Sequence, residues 1–345
     1  MYMHISRSHD PHYNLALEEY ILTRETAGDF FLLWRNGPSV ILGLNQCAAE
    51  EADLSLAAVS HLPVIRRTTG GGAVYHDLGN VNFSFVTDTD FNFPLGPFTE
   101  PIIAYLKSLG LDAAADGRND ITVQGRKISG NAYRIEGRRI LHHGTLLFSS
   151  DLNALSRALK PRDDKFCSKS TKSVRSRVAN ISELLAPQAM TVEEFMDGLV
   201  RSMNSRRALI PWSPSAGARA EISRLASEKY ASPQWNLGLS PACNFKNRRR
   251  FQGGELEIQL MLSHGHGGSS VSSLPCIDFA AIRGDFMAAA PPDAVTGAIT
   301  GAAYSPGAVA RALNSLPQPW EHFLGGITRE EFLSVCFPQA VSLPL

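Results

Sequence analysis

Apolar and polar positions along the chain define its first elements. Behind Asp10-Pro11, an N-cap followed by a residue whose fixed φ suits a first helical turn, "NLALEEYILTR" predicts an amphipathic helix. "FFLLWRN" and "SVILGL" are apolar runs split by Asn36-Gly37-Pro38, and they predict two strands joined by a turn. In "NVNFSFV", Val81, Phe83 and Phe85 alternate with Asn82 and Ser84, the period of a half-buried strand. A helix from about Pro101 to Leu109 is closed by Gly110. "ITVQGRKIS" reads as a hairpin, and "NAYRIEGRRILHHGTLLF" as a second one turning at Glu136-Gly137. Helices return after Asp151, with a capping box at Thr191 and Glu194. Runs of strand with helices between and after them, without strict β-α-β alternation, place the chain in the α+β class.

From 211 to 233 the pattern loosens through "PWSPSAGARA", one more helix and Ser232-Pro233, which predicts a domain boundary near 230. Residues 1–229 then form the large domain and residues 233–345 a small α+β unit. That unit begins with strands in "QWNLGLSPACNF", "RFQGGELEIQLML" and "GSSVSSLPCI". It ends in helices, the last with a capping box at Thr328 and Glu331. A length of 345 residues suits two domains.

Composition narrows the function. Lys plus Arg equals Asp plus Glu at 33 each, so the chain as a whole is not an electrostatic nucleic-acid binder. No run of 18 apolar residues occurs, which argues against a membrane span. The N-terminus lacks the apolar core of a signal peptide. Cys47, Cys167, Cys243, Cys276 and Cys336 are scattered and odd in number, as expected of reduced thiols in the cytoplasm rather than a disulfide or zinc framework.

Candidate chemistry concentrates in "RRTTGGGAVYHDLGN", residues 66–80. Three consecutive glycines can reach φ > 0 and bring backbone amides against a ligand. Arg66 and Arg67 add charge-assisted donors for a carboxylate or phosphate. The loop matches neither the P-loop nor the dinucleotide-binding pattern, so on its own it is equally an ordinary solvated hairpin. Downstream, "GRNDITVQGRKISGNAY" sets Lys127 in a strand-like segment ahead of a Ser-Gly turn. The adjacent His142 and His143 point to opposite faces of a strand and do not readily chelate one ion, so His143 reads as a satisfied core histidine. His264 and His266 read as loop residues.

Taken in order, "DPHYNLALEEY", "RRTTGGGAVYHDLGNVNFSF", "GRNDITVQGRKISGNAYR", "HHGTLLF" and "SVRSRVANISELL" resemble the lipoate–protein ligase A family, of the superfamily that also holds biotin protein ligases and octanoyltransferases. The resemblance covers roughly residues 4–187. It continues more faintly into "SPQWNLGLSPACNF" and "RFQGGELEIQL", which are similar to the start of that family's accessory domain. It implies a mixed β-sheet flanked by helices plus a small C-terminal accessory domain. It further implies a ligase that converts lipoate and ATP to lipoyl-AMP and pyrophosphate, with Mg2+ as cofactor. The lipoyl group then passes to a lysine of an apo acceptor domain, on an E2 subunit of a 2-oxoacid dehydrogenase or on glycine-cleavage H protein. By motif match, Arg67, Gly70, Gly71, Gly72, Ala73, Val74, Tyr75, Asp120 and Lys127 fall to the nucleotide or adenylate. Arg67, Gly72, His76, Lys127 and His143 fall to lipoate, and Lys127 is the catalytic cation. Lys172, Arg175 and Arg177 belong to a cationic loop that closes over the adenylate in the family.

One segment departs from the pattern. "GLNQC", residues 43–47, has Leu44 where relatives carry an arginine and Cys47 where they carry an asparagine. Two alternatives therefore stand beside the ligase. One is an octanoyl or lipoyl acyltransferase working through a thioester on Cys167, whose cationic surroundings would lower a thiol pKa. The other is a protein that binds lipoyl-adenylate without making it.

Overall fold

The computed structural model describes residues 1–52, 57, 60–89, 96–117, 119–159, 178–237, 243, 245–263 and 275–338. The chain divides into two units. The first comprises Met1–Leu42, Ala48–Thr68 and Ala73–Gly238; the second comprises Gly43–Cys47, Thr69–Gly72 and Leu239–Leu345.

The first unit is built on a mixed eight-stranded sheet. Its strands are β1 (Tyr2–Ile5), β2 (Phe30–Trp34), β6 (Asn80–Asp88), β7 (Ala113–Asp116), β8 (Asp120–Val123), β9 (Arg126–Glu136), β10 (Arg139–Leu147) and β11 (Ile210–Pro211). They lie in the order β11-β1-β2-β6-β10-β9-β8-β7. β1 is parallel to β2 and β11, and the pairs from β2 onward are antiparallel. A second sheet joins β3 (Ser39–Leu42) to β4 (Val64–Arg66), parallel, and to β5 (Val74–His76), antiparallel. β2 and β3 are neighbours in sequence yet enter different sheets.

Helix α1 (Pro11–Arg24) starts as its sequence predicts: Pro11 occupies its first turn and the Asp10 carboxylate accepts the His12 N–H. It buries Leu15, Leu17, Ile21 and Leu22 against Phe30, Leu32, Val86 and Leu141. The opposite face of the sheet meets α3 (Gly96–Ser108) and α6 (Val192–Arg206), where Phe195 packs on Phe148 and its carbonyl accepts the Tyr105 hydroxyl at 2.8 Å. Thr191 and Glu194 form the expected capping box of α6. The β8–β9 hairpin turns through Gln124 and Gly125, at φ 53° and 73°, the left-handed pair that a two-residue hairpin loop requires.

Three expectations change. β6 is not half-buried: every residue from Asn80 to Val86 is buried, because β2 and β10 flank the strand and helices cover both faces. Its polar alternates face a polar interior instead of solvent. Ser129-Gly130 is not a turn but lies inside β9, which runs unbroken from Arg126 to Glu136. Residues 234–236 of "QWNL" form not a strand but part of the short helix Pro233–Asn236, since Ser232-Pro233 supplies a helix start that outweighs the apolar run. Its Trp235 and Asn236 belong to the first unit.

The second unit carries an antiparallel sheet, β12 (Phe245–Phe251), β13 (Gly254–Ser263) and β14 (Cys276–Gly284), around a core of Leu256, Ile258, Leu260, Phe286, Phe323 and Phe332. The Thr328–Glu331 capping box opens its final helix, Arg329–Cys336. His264, His266 and most of "GSSVSSLPCI" lie outside the described residues.

His142 and His143 project from β10 to opposite faces. His142 stacks on Phe98 at 4.8 Å between ring centroids and is fully buried, with no hydrogen-bond partner among the described residues for either ring nitrogen. Burial pushes its pKa down to about 3. The unfolded chain's imidazole protonates near 6.5, so His142 supports the fold fully above that pH and progressively less as pH falls toward 3. Replacing it with leucine removes this penalty. Urea unfolding at pH 7 and pH 5 should show that His142→Leu loses about 2 kcal/mol less than the wild type between the two conditions.

Candidate active site

The strands of the small sheet carry the first cations. Arg66 is a structural residue. Its Nε donates to the Trp235 carbonyl at 3.1 Å, its Nη2 to the Asn236 carbonyl at 2.9 Å, and its own carbonyl accepts the Trp235 indole N–H at 2.8 Å. Arg66 is thus tied to the Pro233–Asn236 helix, whereas Arg67 turns to β3. Arg67 is buried and donates to the Ile41 carbonyl at 3.2 Å. Desolvation pulls its pKa down to about 10, a fall limited by the Glu18 carboxylate and deepened by Arg66, so Arg67 is a cation at neutral pH.

Glu18, on α1, is the group that sequence reasoning missed. It is 2% exposed and accepts the Ser84 hydroxyl at 2.5 Å. It also lies 3.0 and 3.1 Å from His143 Nδ1 through its two oxygens. Ser84 in turn accepts the Trp34 indole N–H at 2.8 Å. A signal was present: Glu18 stands four residues after the buried Asn14 and three before the buried Ile21, a charge inside the helix's buried stripe.

His76 completes the cluster. It is buried, and its Nδ1 accepts the Asn36 amide at 3.1 Å, an orientation fixed by Asn14 donating to Asn36 Oδ1 at 2.9 Å. Burial, with Arg67 and His143 nearby, lowers its pKa to about 3. The neutral ring therefore carries its proton on Nε2, which is buried without a hydrogen-bond partner among the described residues. That is a donor ready for a ligand oxygen.

Lys127 and Asp120 form a second pair across the β8–β9 hairpin, 2.8 Å apart and partly exposed. The ammonium lies over Gly130, where an added Cβ would sit 3.0 Å from Nζ. Beside it Val178 is bridged to Lys127, and the Ala179 N–H donates to the Lys127 carbonyl at 2.9 Å. His143 pairs across the sheet with Ala132, five residues along β9 from Lys127, which separates the two polar groups by roughly 17 Å of strand. Phe83 and Phe85 of β6 are buried on the opposite, His142 face of the sheet, and Val40, Ile41 and Leu42 of β3 are buried in the small sheet.

Ala73, Val74 and Tyr75 continue into β5, where Tyr75 packs with Val40, Leu42 and Ala158. Gly70, Gly71 and Gly72 belong to the second unit, whose Phe286 carbonyl accepts the Gly71 N–H at 3.4 Å. The three glycines differ. A Cβ on Gly70 would meet that carbonyl at 2.5 Å, Gly71 has φ +85°, and a Cβ on Gly72 would meet nothing within 4 Å. In "GLNQC", the Gln46 side chain accepts the Gly43 N–H at 2.8 Å and the Asn45 carbonyl accepts the Gly284 N–H at 2.8 Å. Lys172, Arg175, Arg177 and Cys167 lie outside the described residues.

Residues 10–204 match the lipoyl protein ligase A/B catalytic domain. The chain belongs to the lipoyl protein ligase A/B family. Residues 240–335 match the C-terminus of bacterial lipoate protein ligases. The lipoate-protein ligase LplJ of Bacillus subtilis is 38% identical over 95% of this chain and 97% of its own. P. falciparum LipL1, solved in complex with lipoate, shares the fold at a TM-score of 0.77 and 24% identity, over 96% of this chain and 97% of that one. The bipartite ligase of Thermoplasma acidophilum, solved in a study of that ligase and its E2 lipoyl domain, gives a TM-score of 0.61 at 30% identity, over 71% and 98%. A lipoate-protein ligase A bound with ATP gives 0.60 at 29%, over 70% and 100%.

Within this family member the glycine loop is open to a direct test. Gly71→Val should destabilise, because a β-branched residue is strained at φ +85°. Gly72→Val should leave the thermal melt within about 2 °C of wild type, since its Cβ has open space. If that space receives ligand, the same variant should lose lipoyl-adenylate binding in isothermal titration. Wild-type affinity in a folded Gly72→Val protein would show that nothing lies there.

Proposed function

We propose that this chain is an ATP-dependent lipoate–protein ligase that forms lipoyl-AMP and transfers the lipoyl group to a lysine of an apo lipoyl-acceptor domain, on E2 subunits or H protein. The observation that carries the proposal is the pairing of a partly exposed cation, Lys127, with a buried polar cluster along the same sheet, about the reach of a long, thin substrate. Lipoate then lies with its carboxylate at Lys127 and its chain extending toward His143 and Glu18. Burial of each methylene is worth about 0.8 kcal/mol, so an eight-carbon chain supplies several kcal/mol of affinity.

In the first step a carboxylate oxygen of lipoate attacks the α-phosphorus of ATP. The new P–O bond forms as the bond to pyrophosphate breaks. Two anions must approach, and the Lys127 ammonium, held by Asp120, neutralises both and lines them up. Arg67 stays cationic and the His76 Nε2–H is a spare donor, so both suit ligand oxygens. By the family match, the Gly70–Gly72 loop falls to the nucleotide phosphates. Asp120 is the carboxylate that would hold Mg2+, which would supply charge neutralisation at the phosphates; among the described residues no group of three His, Cys, Asp or Glu side chains comes together to hold it alone. In the second step the acceptor lysine's amine attacks the acyl carbon, AMP leaves, and the amide forms with loss of a proton.

The match of the C-terminal residues to a ligase C-terminus supports a ligase over a transferase. The E2 lipoyl domain studied with the Thermoplasma ligase supports the acceptor class. The free thiols of Cys47, Cys243, Cys276 and Cys336 suit a reducing cytoplasm.

Lys127→Ala should keep its fold by circular dichroism and lose adenylate formation, measured as pyrophosphate release, by about 100-fold or more. Activity within about threefold of wild type would remove Lys127 from the chemistry. Because the mixed anhydride is already activated, Cys167→Ser should retain ATP-dependent lipoylation, followed by acceptor mass. Loss of that activity, with an octanoyl thioester trapped on the wild type, would favour the acyltransferase.

A further inference from the structure

At the other edge of the large sheet lies a groove of about 980 Å3, within the first unit and unrelated to the residues above. Its walls come from β1, the start of α1, the last turns of α6, the segment 209–214 and helix Ala216–Leu225. β1 stands four strands from β9, so roughly 19 Å of sheet separates the groove from Lys127.

Three arginines line it: Arg7, Arg201 and Arg219. Among the described residues no carboxylate does. Arg219 donates to the Pro214 carbonyl at 2.6 Å, and its charge reaches the Tyr13 hydroxyl, whose pKa burial nonetheless raises. Among the described residues none of the three arginines forms an ion pair. Unpaired arginines gathered in one concavity repel one another, an arrangement that an anion relieves.

The rest of the wall is apolar and rigid. Trp212 is set edge-on against His4, at 5.6 Å and 83°, and against Phe30, at 5.4 Å and 87°. The Trp212 carbonyl is 3.0 Å from His4 Nδ1, and its N–H donates to the Met3 carbonyl at 2.8 Å. Burial lowers the His4 pKa, so near neutral pH the groove's charge is that of its arginines. Ile5, at 41% exposure, and Leu209 complete a surface that water covers poorly.

We propose that this groove is a second ligand site, for an organic anion: a carboxylate or phosphate held by Arg7, Arg201 and Arg219, with an apolar or aromatic body against Trp212. Its size lies at the upper end of small-molecule pockets, and its pairing of an apolar wall with a few convergent polar groups is the usual character of such sites. A fatty carboxylate and a nucleoside monophosphate share this chemistry, and the test separates them.

The chain has four tryptophans, Trp34, Trp212, Trp235 and Trp320, so 5-fluorotryptophan labelling gives four fluorine signals. Trp212→Phe assigns the one in the groove, and Trp34, beside His76 and Ser84, reports on the first site. Full-length protein is titrated with octanoate, AMP and inorganic pyrophosphate. The expected result is a saturable shift of the Trp212 signal with octanoate or AMP, identifying a carboxylate or a phosphate ligand respectively. The pair Arg7→Gln and Arg201→Gln should raise that apparent Kd by about tenfold or more, with the other three signals and lipoylation unchanged. The proposal falls if no organic anion moves the Trp212 signal below about 10 mM, or if the double variant binds as the wild type does. It also falls if pyrophosphate binds as tightly as the better organic probe, since the apolar wall would then contribute nothing.

Discussion

The Glu18 carboxylate, buried in the first unit, is the constraint around which the site is arranged. Removing a carboxylate from water costs several kcal/mol, and the penalty is met only by groups that hydrogen-bond or neutralise it. Ser84 donates from β6, His143 approaches from β10, and Arg67, after β4, lies close enough for its charge to attract the carboxylate. Four elements distant in sequence are thereby held to one point. Register follows: a shift of one residue in β6 or β10 would turn Ser84 or His143 to the opposite face and strand the carboxylate.

The same cluster sets the electrostatics. Arg67 remains charged in a dry interior because Glu18 offsets part of its desolvation, while His76 is held neutral by burial and by Arg67 and His143. One buried cation and one neutral donor result, a pairing that favours ligand oxygens without a proton of uncertain ownership. Lys127 is handled differently. It is partly exposed, paired among the described residues with Asp120, and placed over a glycine, which leaves its ammonium room to reorient. Preorganisation is thus concentrated at the buried end of the site and adaptability at the open end.

The glycine run serves more than one need. Gly71 supplies a left-handed backbone, Gly70 a close approach to the Phe286 carbonyl, and Gly72 neither. Thr69–Gly72 and Gly43–Cys47 cluster with the C-terminal residues and not with the strands that flank them. The nonstandard Leu44 and Cys47 therefore belong to a segment whose backbone is tied at Gly43 and Asn45.

How much of this was legible in the sequence depends on the range of the interaction involved. The Asp10-Pro11 start, the two capping boxes and the turns at Gln124-Gly125 and after Glu136 all arise from contacts within a few residues, and their residue types alone determined them. The ordered motifs across roughly residues 4–187 likewise carried the family. Burial of both faces of β6, the assignment of β2 and β3 to separate sheets, and the division of labour between Arg66 and Arg67 were decided by tertiary structure. Each depends on which distant segment covers a face, and alternation in the chain records only that two faces differ. Glu18 shows the limit most clearly. Its place in an apolar stripe marked it as unusual, but a buried charge is tolerable only with partners, and Ser84, His143 and Arg67 become its partners only when the sheet is assembled.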